Sequence, residues 1–66
     1  MKVLVNGESR KIPESVNVNY LASMYELEPS RAVIEHNGKI LKGEEWGKTY
    51  LNENDKIEII SFVGGG

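Results

Sequence analysis

The sequence predicts an α+β domain, a mixed sheet of four to five strands with one main helix packed on one face. Three observations carry that expectation. Two Asn-Gly dipeptides, at 6–7 and 37–38, each sit between strand-like segments and mark tight hairpins. Val18, Leu21, Ala22 and Tyr25 recur at helical spacing and form one apolar stripe. The stretch from Lys56 to Phe62 alternates Ile57 and Ile59 against Glu58, Ile60 and Phe62, the period of a strand. Hairpin, helix and further strands in so short a chain leave a sheet with a helix across it as the economical architecture.

Taken in order, Lys2 to Val5 reads as the first strand, with Val3 and Val5 on one face and Lys2 and Leu4 on the other. After the Asn6-Gly7 turn an antiparallel return strand runs from about Glu8 to Ile12, and Pro13 stops it. Asn17 is a candidate helix N-cap, because its side chain can accept from an orphan backbone N–H. The helix is expected to end near Glu26, ahead of Glu28-Pro29, where the residue before proline resists the helical conformation. At about two turns it cannot stand alone in water and must pack on the sheet. Ala32 to His36 and Lys39 to Leu41 form the second hairpin. Glu44-Glu45-Trp46 opens a helical or 3₁₀ turn, with Trp46 and Tyr50 expected to anchor it to the core. Asn52 to Asp55 is a turn cluster, and Lys56 to Phe62 is the last strand. The first and last strands are expected side by side and parallel, since the helix lies in the connection between them.

Composition narrows the function classes. A chain of 66 residues holds one domain, and a domain this small buries roughly 60% of its unfolded surface. The absence of cysteine excludes disulfides, zinc–thiolate sites and a cysteine nucleophile. The net charge is −2, and Arg10-Lys11 is the one adjacent basic pair, which argues against nucleic acid as a partner. No stretch is apolar for long enough to span a membrane, and the N-terminus does not read as a signal peptide. A cytoplasmic protein is expected.

Side-chain chemistry is sparse. Neither phosphate-binding glycine pattern occurs in a strand-to-helix context. His36 is the single histidine, and a lone histidine beside a turn is more often structural than catalytic. Glu44 and Glu45 are neighbours in sequence, so on a helix they point apart and make no acid–base dyad. Trp46 reads as a core anchor. No metal site or catalytic group is expected.

Two features remain. If Ile57 and Ile59 face the helix, then Ile60 and Phe62 face outward, joined by Leu4 if the first and last strands are neighbours. An outward apolar patch suggests a surface for docking another protein. The patch leads into Val63-Gly64-Gly65-Gly66. Residues 1–63 are expected to form the domain and 64–66 a flexible tail. Without Cβ atoms such a tail can enter a narrow channel and deliver a terminal carboxylate. A frayed terminus or a cloning remnant is the plainer reading of the same residues.

The whole chain resembles the thiamine-biosynthesis sulfur carriers, the ThiS family, of ubiquitin-like β-grasp fold. The resemblance lies in Lys2 to Glu8, Val33 to Ile40, Glu44-Glu45-Trp46, Leu51 to Asp55, Ile57-Glu58-Ile59 and above all Phe62-Val63-Gly64-Gly65-Gly66. It implies a carrier rather than an enzyme. An E1-like adenylyltransferase would use ATP to adenylylate Gly66, with no cofactor held by the carrier itself. Sulfur relayed from a cysteine desulfurase would give a thiocarboxylate, and thiazole synthase would take the sulfur. Gly64 and Gly65 would give the tail its reach, and Leu4, Ile60, Phe62 and Val63 would meet the partners. The family often has Asp-Gly-Asp in the last turn, where this chain has Asn54-Asp55. Asparagine tolerates the left-handed conformation, so the turn can form. Three other readings stay open on the sequence: a molybdopterin-synthase-type sulfur carrier, a ubiquitin-like modifier joined to lysines, and a plain binding domain with an incidental tail.

Overall fold

The computed structural model describes residues 1–62. The order of elements is β1 (Lys2–Val5), β2 (Glu8–Lys11), α1 (Val18–Met24), β3 (Ala32–His36), β4 (Lys39–Leu41), a 3₁₀ turn (Gly43–Glu45) and β5 (Lys56–Ser61). The five strands form one sheet in the order β2-β1-β5-β3-β4. β1 and β5 pair parallel, and every other pair is antiparallel. This is the mixed sheet with one helix that the sequence implies, with five strands.

Both hairpins turn on residues with positive φ, Asn6 (52°) with Gly7 (83°) and Asn37 (51°) with Gly38 (88°). That pair of conformations twists with the strands, and Asn-Gly adopts it at least cost. Asn54 takes φ 68° in the turn before β5, the left-handed state expected of it. β2 ends at Lys11 rather than Ile12. Ile12 still donates its N–H to the Met1 carbonyl (2.9 Å) and is buried.

Asn17 caps α1, its side chain accepting from the Tyr20 N–H. The helix stops at Met24, two residues before the expected end, and proline is not the cause. Glu26 enters the left-handed region (φ 54°), Leu27 donates to the Ala22 carbonyl (2.8 Å) and Glu26 to the Ser23 carbonyl (3.2 Å). This is a Schellman closure made without glycine. Val18, Leu21 and Ala22 face the sheet, and Tyr25, now the C-cap, packs at the edge of the core.

The core lies between α1 and the inner sheet face. It joins Val3 and Val5 of β1, Ile34 of β3, Leu41 of β4 and Ile57 of β5 to Val18 and Leu21, with Trp46 and Leu51 closing one end. Trp46 is 2% exposed, as the sequence suggests. Tyr50 is not an anchor. It is 58% exposed, and Leu51 is buried in its place. Val18 donates to the Thr49 carbonyl and Leu51 to the Val16 carbonyl. The segment is therefore strand-like against residues 16–18, and alternation sends Tyr50 out and Leu51 in.

The single histidine has a structural partner. His36 Nε2 lies 2.7 Å from Asp55 Oδ2. Asn37 Nδ2 donates to Asp55 Oδ1 (3.1 Å) and the Asn52 N–H donates to Oδ2 (2.9 Å). Asn37 Oδ1 accepts in turn from the Lys56 N–H. Burial raises the Asp55 pKa, but hydrogen bonds from His36, Asn37 and Asn52 together with the charge of His36 outweigh it. The carboxyl is held below its ordinary value. The unfolded chain then binds the proton more readily, so this stability is present above the ordinary carboxylate range and is lost as pH falls through the folded pKa. Asp55→Ala should cost about 1–3 kcal/mol at neutral pH by leaving those donors unpaired. In urea melts the gap from the parent should shrink as the pH falls through the acid range. A gap unchanged at acid pH would show that the charge of Asp55 is irrelevant.

Candidate functional site

Among the described residues no helix lies over the sheet face away from α1, and the composition of that face is uneven. From β5 and the residue after it the face presents Lys56, Glu58, Ile60 and Phe62, which alternate with the inward Ile57 and Ile59. Ile60 is 50% exposed and Phe62 56%. The β3–β5 register sets Val33 opposite Ile60 and Glu35 opposite Glu58. The β3–β4 register sets Ile40 opposite Glu35, and Ile40 is 61% exposed. Phe62 continues the ladder beyond β5, its N–H donating to the Arg31 carbonyl (2.8 Å). The last described residue is therefore still held to β3 beside this face.

Leu4 occupies the same face but the opposite end. It pairs with Lys56, four residues before Ile60, a separation of roughly 13 Å along the strand. It is half-buried and does not run into the Ile60–Phe62 group. The apolar cross-strand neighbour of Ile60 is Val33, while Ile40 lies on the same face one strand further out, opposite Glu35; sequence reasoning passed over both. The alternation of Val33 and Glu35 against Ile34 was visible in β3, but which strand lay beside β5, and in what register, was not. Val63, Gly64, Gly65 and Gly66 lie outside the described residues.

Asn6 trims the junction. Its N–H donates to the Ile57 carbonyl (2.8 Å), and its side-chain Oδ1 accepts from the Ile59 N–H (2.7 Å). The amide extends the parallel ladder one step past the end of β1, and beyond it the β1–β5 register has no further pair. The last residues of β5 are held from the β3 side.

Elsewhere on the described surface the chemistry stays structural. Two open grooves beside Tyr50 are lined by Glu14, Ser15, Asn17 and Ser23 among others, and neither contains a histidine or lysine to activate a serine. Among the described residues no three His, Cys, Asp or Glu side chains converge as metal ligands. No helix there is long and apolar enough to cross a membrane.

Comparison with known proteins adds a lineage to this geometry. A family model described as the ThiS family matches residues 3–66. The sulfur carrier protein ThiS of Bacillus subtilis is 33% identical over 63 residues, spanning 94% of this chain and 96% of that protein. A thiazole synthase of Paramagnetospirillum magneticum is 32% identical over 66 residues, and there the chain spans only 20% of the relative's length. The crystal structure of a thiamine biosynthesis protein (ThiS) from Geobacter metallireducens superimposes with a TM-score of 0.81 at 32% identity, each chain covered in full.

Proposed function

The chain belongs to the ThiS family, sulfur carriers of thiamine biosynthesis with a ubiquitin-like β-grasp fold, and from that premise we propose that Gly66 is the site at which sulfur is loaded and released. One observation carries the reading: the family match extends through residue 66, so it includes Gly64-Gly65-Gly66 as well as the folded domain. The chemistry follows from what a carboxylate lacks. It is a poor acyl donor until a good leaving group replaces its negative oxygen. An E1-like adenylyltransferase supplies that by transferring AMP from ATP to Gly66 and releasing pyrophosphate. A persulfide relayed from a cysteine desulfurase attacks the acyl carbon and AMP leaves; a second thiol then cleaves the resulting acyl disulfide, forming a disulfide with the relay sulfur and releasing the thiocarboxylate. Thiazole synthase accepts the sulfur, and the carboxylate is regenerated. ATP belongs to the activating enzyme, and the chain is a carrier substrate rather than a catalyst. The cytoplasm, where these enzymes and ATP are found together, is the proposed location.

In this reading the domain is the handle. Ile60 and Phe62, with Val63 beyond them, meet the partner, Leu4 marks the far end of the same face, and Gly64 and Gly65 carry the carboxyl into the active site. Exposed apolar side chains on an uncovered sheet face support docking there. Among the readings the sequence leaves open, family membership favours thiamine over molybdopterin and over a lysine-linked modifier.

The test is mass spectrometry of the intact chain after incubation with ATP, a sulfur donor and the activating enzyme. The expected product has one C-terminal oxygen replaced by sulfur, localised to Gly66 by fragmentation. An unchanged mass, with an enzyme proven active on another carrier, would refute the assignment.

A further inference from the structure

We propose that Glu35 and Glu58 together receive an arginine of thiazole synthase at the centre of the docking face. The inference rests on the docking reading above and specifies its partner. Glu35 and Glu58 are direct cross-strand partners on the uncovered face. The ladder contacts at Asn37–Lys56 and Phe62–Arg31 fall on alternate pairs, which makes Glu35–Glu58 a hydrogen-bonded pair with Cα atoms about 5.5 Å apart. Like charges set directly opposite destabilise a sheet. Lys56 lies two residues before Glu58 on the same face, yet among the described residues neither carboxylate has a cationic nitrogen within 4.0 Å. Among the described residues no salt bridge relieves this repulsion.

The surroundings indicate what relieves it. Val33 and Ile60 form the next cross-strand pair, and Ile40 flanks Glu35 on the other side. A protein that covers these apolar groups also takes the two carboxylates out of water, which is costly unless a cation pairs with them. A guanidinium suits both demands. Its planar fork can donate to two carboxylates at once, and it is more weakly hydrated than an ammonium, so it tolerates an apolar rim. Thiazole synthase is the partner chosen because two relatives of that name carry a segment like this chain within their own length, from Paramagnetospirillum magneticum and Magnetococcus marinus.

The experiment measures binding of the full chain to the thiazole synthase of the same organism by calorimetry at low and high salt. It compares the parent, the double variant Glu35→Gln/Glu58→Gln, and Ile60→Asp. The glutamine variant should bind roughly tenfold or more weakly, lose most of the parent's salt dependence, and melt at a higher temperature because the repulsion is gone. Tighter folding with weaker binding is a combination that a merely structural pair does not give. If Ile60→Asp weakens binding while the glutamine variant matches the parent at both salts, the docking face stands and the arginine proposal falls. If a folded Ile60→Asp binds like the parent, or the parent does not bind at all, the docking reading fails and takes this proposal with it.

Discussion

Removing Gly65 and Gly66 should abolish sulfur loading and leave the melting temperature of the domain unchanged. Both halves of that expectation follow from where the chain keeps its contacts. Every buried core residue described lies at or before Ile57, and Ile59 packs against that core from its edge. Glycine adds no apolar side chain to such a core. The deletion therefore takes nothing from the hydrophobic term that holds the domain together. The proposed chemistry is placed on the deleted residues. The shortened chain still ends in a carboxylate, but one set back by two residues, up to about 7 Å of extended backbone. An error of 1 Å in placing a reacting group is enough to cost about a hundredfold in rate. The measurement is the intact-mass assay, paired with a thermal melt of the same sample. Sulfur loading at the parent rate would show that Gly65 and Gly66 are dispensable and would overturn Gly66 as the loading site.

The second large effect is on stability. Trp46→Ala should cost about 3–5 kcal/mol. Domains typically hold about 0.05–0.15 kcal/mol per residue, so this loss is a large share of what 66 residues can supply. The side chain is delivered by the 3₁₀ turn Gly43–Glu45. Lys42 donates its N–H to Glu45 Oε1 (2.8 Å), and Trp46 donates its N–H to the Gly43 carbonyl (3.2 Å). The turn is pressed against the loop after α1 so closely that a Cβ on Gly43 would stand 2.5 Å from the Pro29 Cβ. Backbone this tightly seated cannot collapse into the space a tryptophan leaves, which places the expected cost toward the upper end of the range. The indole Nε1 is buried and has no hydrogen-bond partner among the described residues. Trp46→Phe keeps most of the ring and removes that unpaired donor, so its loss should be clearly smaller. Denaturant melts of the two variants test the ranking. An alanine variant within 1 kcal/mol of the parent would remove Trp46 from the core.

Much of this molecule is legible in its residues one neighbourhood at a time. Asn6-Gly7 and Asn37-Gly38 specify their turns because few other pairs hold two successive positive φ values. Alternation alone places Val3, Val5 and Ile57 inward and Ile60 and Phe62 outward. Asn17 announces the start of α1, and the pattern of apolar residues names the side of the helix that meets the sheet. The readings that changed concern partners remote in sequence. Tyr50 lost its place in the core to Leu51 because residues 49–51 align with residues 16–18. α1 ended early because Glu26 accepted a conformation that composition assigns to glycine.

Local sequence determined the elements, their turns and the face each side chain takes, since those depend on periods of two and 3.6 residues within a single segment. Only the tertiary structure decided how far each strand slides along its neighbour. A slip of two residues keeps every side chain on its face and changes every partner, so period and turn chemistry do not determine it across a long connection. That choice separated Leu4 from Ile60 and set Glu35 against Glu58, residues whose strands are joined through β4 and the turn that seats Trp46.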